Sequence, residues 1–114
     1  MADNTLGLLG IAKKAGKTAV GEAPVDAAVR AGHAQLILTA ADAAENSVRR
    51  AARFAEKGGV PWIRTPWTRD ELGEAVGRTS CAMLALTDAG LAASLTRRLG
   101  GPEDSPTDRR EKPL

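Results

Sequence analysis

Three lysines, Lys13, Lys14 and Lys17, crowd one short stretch, "IAKKAGKTAVGEAP". Gly16 divides them, and Gly21 follows shortly, ahead of Glu22, Ala23 and Pro24. Arg49, Arg50 and Arg53 form a second basic group, near Asp42 and Asn46. Arg78 opens a third, in "GRTSCA", with Thr79 and Ser80 beside it. Cations next to glycine turns and helix starts have the chemistry of anion binding. Glycine lets the backbone come close, and the free N–H groups of a helix's first turn point at the ligand. The same cations also suit ordinary solvated faces. They form one anion site only if the loops at 16–22, 40–46 and 77–82 converge.

Catalytic chemistry is poorly provided for. His33 is the single histidine and Cys81 the single cysteine. His33 follows Gly32 with no acid or serine motif beside it, so a surface or capping histidine is the simpler reading. Cys81 precedes an apolar run and reads as a small buried hydrophobe. One cysteine permits neither an internal disulfide nor a thiolate metal cluster. The chain carries no Walker A lysine motif and no G-x-G-x-x-G after a strand. We therefore expect no enzyme activity, no cofactor and no metal. The aromatics are Phe54, Trp62 and Trp67, too few to stack the bases of a single strand. Trp62 belongs in a core; Trp67, after Pro66, is left between core and surface.

The elements that must hold these residues follow from periodicity. "TLGLLGIAKKAG" sets Leu8, Ile11, Ala12 and Ala15 at helical spacing, and Gly16 suits the stop. "TAV" at 18–20 is a short β-prone run. Pro24 sits near the first turn of a helix with Val25, Ala28 and Val29 on one face, closed by Gly32. "QLILTA" at 35–40, "VPWIRT" at 60–65 and "AMLALT" at 82–87 read as strands. Asp42 and Glu45 have capping-box spacing and head a helix to Lys57; Thr68 and Glu71 repeat the pattern. Asp88 suits the cap of a last helix with Leu91, Leu95 and Leu99 at i, i+4, i+8. Asp42 and Asp88 each follow a strand, which in an open α/β sheet is also where ligands bind.

Strands alternating with helices imply an α/β fold. We expect a three-layer α/β/α sandwich around a central, mostly parallel or mixed sheet of about four strands. With 114 residues and 43 % hydrophobic content, the chain can build one core. That domain should span 1–101. The segment 102–114 is charged and proline-rich, so a disordered tail is expected. The formal charge of +2 permits a polyanionic partner without demanding one. "MADNTLGLLG" is no signal peptide, and no run approaches the roughly 18 apolar residues of a membrane span. A cytoplasmic monomer with no membrane partner is expected.

Taken together, several stretches resemble the ribosomal L-seven-Ae/L-thirty-e superfamily, and within it the small bacterial YlxQ-type RNA-binding proteins. They are "A-x-x-A-G-K", "G-E" at 21–22, "A-x-D-A-x-x-N" at 40–46, "V-P" at 60–61, "E-L-G-x-A-x-G" at 71–77 and "T-D-x-G" at 87–90. The resemblance covers about residues 6–99. It implies an α/β/α sandwich and binding to structured RNA, typically a kink-turn or ribosomal RNA. It implies a docking edge at Gly21, Glu22, Ala23 and Pro24, with Lys13, Lys14 and Lys17 nearby. It adds a post-strand loop from Ala40 to Asn46, with Arg49 beyond it, and a covering loop from Arg78 through Thr79 and Ser80 to Ala82. At the helix start the chain departs from the superfamily's kink-turn binders, which carry Asn-Glu and a following Lys. Here those positions are Ala23, Pro24 and Ala27, none able to hydrogen-bond a base edge. Two other functions fit the same resemblance: a protein-interaction module that has lost RNA specificity, and an accessory domain to an RNA-modifying enzyme.

Overall fold

The structure, a computed structural model, describes residues 4–101; the tail expected at 102–114 lies outside them. The elements alternate as α1 (Thr5–Lys14), β1 (Thr18–Val20), α2 (Glu22–Arg30), β2 (Leu36–Thr39), α3 (Glu45–Gly58), β3 (Trp62–Arg64), α4 (Arg69–Ala75), β4 (Met83–Leu86) and α5 (Ala89–Leu99).

The four strands lie in the order β1-β4-β2-β3. β4 runs antiparallel to both its neighbours, and β2 and β3 pair in parallel. The sheet is thus mixed, with parallel pairing confined to one of its edges. β2 and β4 are buried along their whole length, because helices cover both faces. That is why each reads as an unbroken apolar run rather than an alternation.

Alternate residues of the two central strands feed two cores. Leu36 and Leu38 join Leu84 and Leu86 beneath Leu9 of α1, Leu72 of α4 and Leu95 of α5. On the other face Ile37, Met83 and Ala85 pack against Val25 and Val29 of α2 and Ala51 and Ala55 of α3. This is the three-layer sandwich expected, with α1, α4 and α5 on one side and α2 and α3 on the other.

Two of the three expected side-chain caps form. Thr68 and Glu71 close a full capping box on α4, and Asp88 accepts from the Leu91 N–H at 2.9 Å. Asp42 does not cap α3, which begins at Glu45 with Ala44 at its cap position. Its carboxylate instead accepts from the Arg69 N–H at 2.7 Å, at the head of α4. The cause is a turn after β2 in which Ala41 N–H donates to Trp67 O at 2.7 Å. That bond ties the loop to the β3–α4 connection and brings Asp42 to a different helix.

α1 also differs from expectation. It buries Thr5, Leu9 and Ala12, and leaves Ile11 58 % exposed. Thr5, Leu9 and Ala12 recur at helical spacing as well. In so short a helix, periodicity does not separate two adjacent stripes.

Candidate functional site

β1, β2 and β3 point the same way and β4 the opposite way. The last residues of the first three strands therefore share one end of the sheet with the first residue of β4. Gly21 N–H donates to Met83 O at 2.9 Å, and Ala40 N–H to Ala82 O at 3.0 Å. These two bonds bring three segments together: the α2 start, the loop after β2 and the loop before β4. Gly21, Glu22, Ala23, Pro24, Asp42, Asn46, Arg49, Arg78, Thr79 and Ser80 all belong to this end.

Lys13, Lys14 and Lys17 do not. The Lys17 carbonyl accepts from Thr87 N–H at 2.9 Å, beyond the far end of β4. Lys13 and Lys14 close α1 in the opposite helix layer. Lys17 and Gly21 are four strand steps apart, about 13 Å. The lysines expected beside the helix start are separated from it because β1 intervenes as an extended strand.

Three helices begin at the converged end, and two of them, α2 and α3, have no side-chain cap. Gly21 precedes α2 with φ 103° and ψ 163°, a conformation open to glycine and strained for other residues. Pro24 in the first turn of α2 has no N–H, so Glu22 and Ala23 carry the donors there. Ala44 heads α3 with no side-chain hydrogen bond. By contrast, Thr68 and Asp88 cap α4 and α5. The exposed starts of α2 and α3 thus offer partial positive charge and free N–H groups on the same side.

Arginines supply the full charges. Arg50 on α3 donates to the Glu22 carboxylate, joining the two helix starts. Arg49 donates to Asn46 Oδ1 at 3.0 Å and lies 3.7 Å from Glu45. Arg69 lies 3.6 Å from Asp42. Arg64 ends β3 at this same end, and Arg78 heads the covering loop; both are exposed. Neither Arg64 nor Arg78 has an ion-pair partner among the described residues. Arg64 and Arg69 were not expected at the site, and Arg50 was expected only as a member of the basic group after the second strand. Only the strand order places Arg64 there, and Arg50 and Arg69 reach it through partners 27 or 28 residues away in sequence.

The covering loop is held by α4. Arg78 N–H donates to Gly73 O at 2.7 Å and Cys81 N–H to Arg69 O at 3.0 Å. A Cβ at Gly73 would stand 2.7 Å from Ser80 N and 2.8 Å from Arg78 O. The absence of a side chain at Gly73 is what lets the loop lie on the helix.

The residues with catalytic potential sit elsewhere or are shielded. Burial pushes the Cys81 thiol up from its ordinary pKa, outweighing a backbone hydrogen bond from Met83 and the charge of Arg78. Its Sγ donates to Met83 O at 3.3 Å. His33 is exposed beyond the far end of α2. Trp62 packs on the α2–α3 core and donates its indole N–H to Thr39 Oγ1 at 3.1 Å. Trp67 packs against the other core. Among the described residues, no cluster of three or more His, Cys, Asp and Glu could hold a metal ion. No helix there is long and apolar enough to cross a membrane.

Residues 3–96 match the model of the ribosomal protein L7Ae/L30e/S12e/Gadd45 family. The chain belongs to this family. It is 32 % identical over 88 residues to the RNA-binding protein YlxQ of Bacillus subtilis, covering 77 % of this chain and 87 % of that one. Among solved structures, a protein of unknown function from Bacillus halodurans superposes with a TM-score of 0.80 at 26 % identity. The match covers 86 % of this chain and 98 % of the other. The Giardia lamblia 15.5kD RNA binding protein shares the fold, with a TM-score of 0.68 at 18 % identity over 87 % of this chain and 90 % of that one. This L7Ae/L30e fold carries the converged loops at the end of the sheet where α2 and α3 begin.

Proposed function

We propose that this family member is a non-catalytic RNA-binding protein that docks a bent, structured RNA of the kink-turn kind against the α2–α3 end of its sheet. The observation that carries the proposal is the convergence there of two helix starts without side-chain caps and of Arg64 and Arg78. Uncapped N–H groups and arginines are phosphate-binding chemistry. The relationship to an RNA-binding protein of Bacillus subtilis supports the same reading. Affinity comes from the backbone of the RNA. Ala23, Pro24 and Ala27 are exposed at the α2 start, and their side chains offer no hydrogen bond to a base. A good bidentate base contact discriminates by about 1–3 kcal/mol, and this helix start forgoes it. The RNA is therefore held with little discrimination, by phosphate contacts that position rather than specify.

The test is a titration of the full chain with a kink-turn hairpin and with the same hairpin after replacement of its sheared G·A pairs. Both should bind, with a preference for the kinked form of less than about tenfold, or 1.4 kcal/mol. On a logarithmic plot against salt, affinity should fall with a slope of about −2 to −3, as for two or three neutralised phosphates. Failure of either RNA to bind at low salt would refute the proposal.

A further inference from the structure

Ile11 is the large apolar side chain that the described surface exposes, at 58 %. It stands on α1 as a ridge beside a groove of about 400 Å³, walled by Gly10, Ala75 and Val76 and rimmed by Lys13 and Lys14. On its other side a second groove runs past Leu8 and Arg98. A Cβ built on Gly7 would meet nothing within 4 Å, so another chain can approach the helix backbone closely there. Lys13, Lys14 and Arg98 have no ion-pair partner among the described residues. The face is thus apolar in the middle and cationic at the margin, and it belongs to the helix layer turned away from α2 and α3.

We propose that this face of α1 docks a protein segment that is apolar along one side and acidic beside it. The apolar side would straddle Ile11 and enter the grooves, as an amphipathic helix enters a hydrophobic groove. Its carboxylates would meet Lys13, Lys14 and Arg98. An RNA backbone would use the cations and leave the apolar ridge and its glycine-lined wall without a partner. A second copy of the same face would set these lysines against one another, which like-charge repulsion opposes. The lysines set apart from the α2–α3 end thereby acquire a role that does not depend on RNA.

The test uses the full chain labelled with nitrogen-15 and a synthetic helical peptide with leucines at i and i+4 flanked by glutamates. Its control carries lysines in place of the glutamates. The acidic peptide should shift the amides of Gly7, Gly10, Ile11, Ala75 and Val76 and leave those of Gly21 and Ser80 in place. Ile11→Asp and the pair Lys13→Glu with Lys14→Glu should each weaken binding at least about tenfold. Ile11 and the lysines are exposed, and an unchanged spectrum elsewhere confirms that each variant is folded. Three results would overturn the proposal: no shift on α1, equal shifts with the lysine control, or a concentration-dependent shift at Ile11 without peptide, which marks self-association. A kink-turn hairpin that perturbs these amides in place of the peptide would assign the face to RNA and overturn it as well.

Discussion

Glu22 heads α2 at the proposed phosphate edge, where an anion is out of place unless something neutralises it. Arg50 does so, and the pair lies half exposed, with side chains 51 % and 42 % accessible. Such a pair adds little stability, about 0–1 kcal/mol. Glu22→Gln should therefore leave the urea midpoint nearly unchanged while freeing the Arg50 guanidinium. RNA affinity should rise, and the salt slope should steepen by about one; an unaltered slope would mean that Arg50 does not face the ligand. Sequence spacing could not reveal this pair, because Glu22 and Arg50 are 28 residues apart and meet only once α2 and α3 pack. Cys81 was legible from its context, as a small residue leading into a buried strand. With burial holding its thiol protonated, the native chain should react with iodoacetamide at pH 8 at least about tenfold more slowly than the chain in urea. A native rate equal to the unfolded rate would show the loop before β4 to be open.

The elements were legible wherever local chemistry decides them. β1 falls on the run expected, and Thr68, Glu71 and Asp88 cap the helices that they head in sequence. Asp42 was misread because its capping-box spacing to Glu45 is local, while its true partner depends on the bond between Ala41 and Trp67. Asp42→Ala should cost about 1 kcal/mol. Hydrogen exchange should then quicken at Arg69 and the first turn of α4, and remain as it was in α3. Quicker exchange at Asn46 and Ser47 alone would restore the α3 assignment. Gly73 lies inside α4, where alanine is ordinarily the better helix former. Here Gly73→Ala should destabilise the chain by about 1–3 kcal/mol, because the added methyl meets backbone rather than a yielding side chain. It should also weaken RNA binding by displacing Arg78. A stabilised variant would show that the loop moves aside freely.

At the scale of the molecule, α/β alternation gave the layers, but the position of β4 between β1 and β2 was not readable. That strand order decides the site. It gathers Gly21, Asp42 and Arg78 at one end and carries Lys17 to the other. Grouping the lysines with the helix start follows from proximity in sequence, and a three-residue strand is enough to break it. The domain then has two cationic surfaces, an arginine edge at the start of α2 and α3 and a lysine margin on α1. The most direct test of this division is a kink-turn hairpin titrated against two variants of the full chain. One carries Arg64→Ala and Arg78→Ala, and the other Lys13→Ala, Lys14→Ala and Lys17→Ala. All five side chains are exposed, so both variants should fold. The arginine variant should lose at least about tenfold in affinity and about two units of salt slope, while the lysine variant stays within about threefold of the parent chain. An RNA affinity that collapses in the lysine variant and survives in the arginine variant would contradict the account.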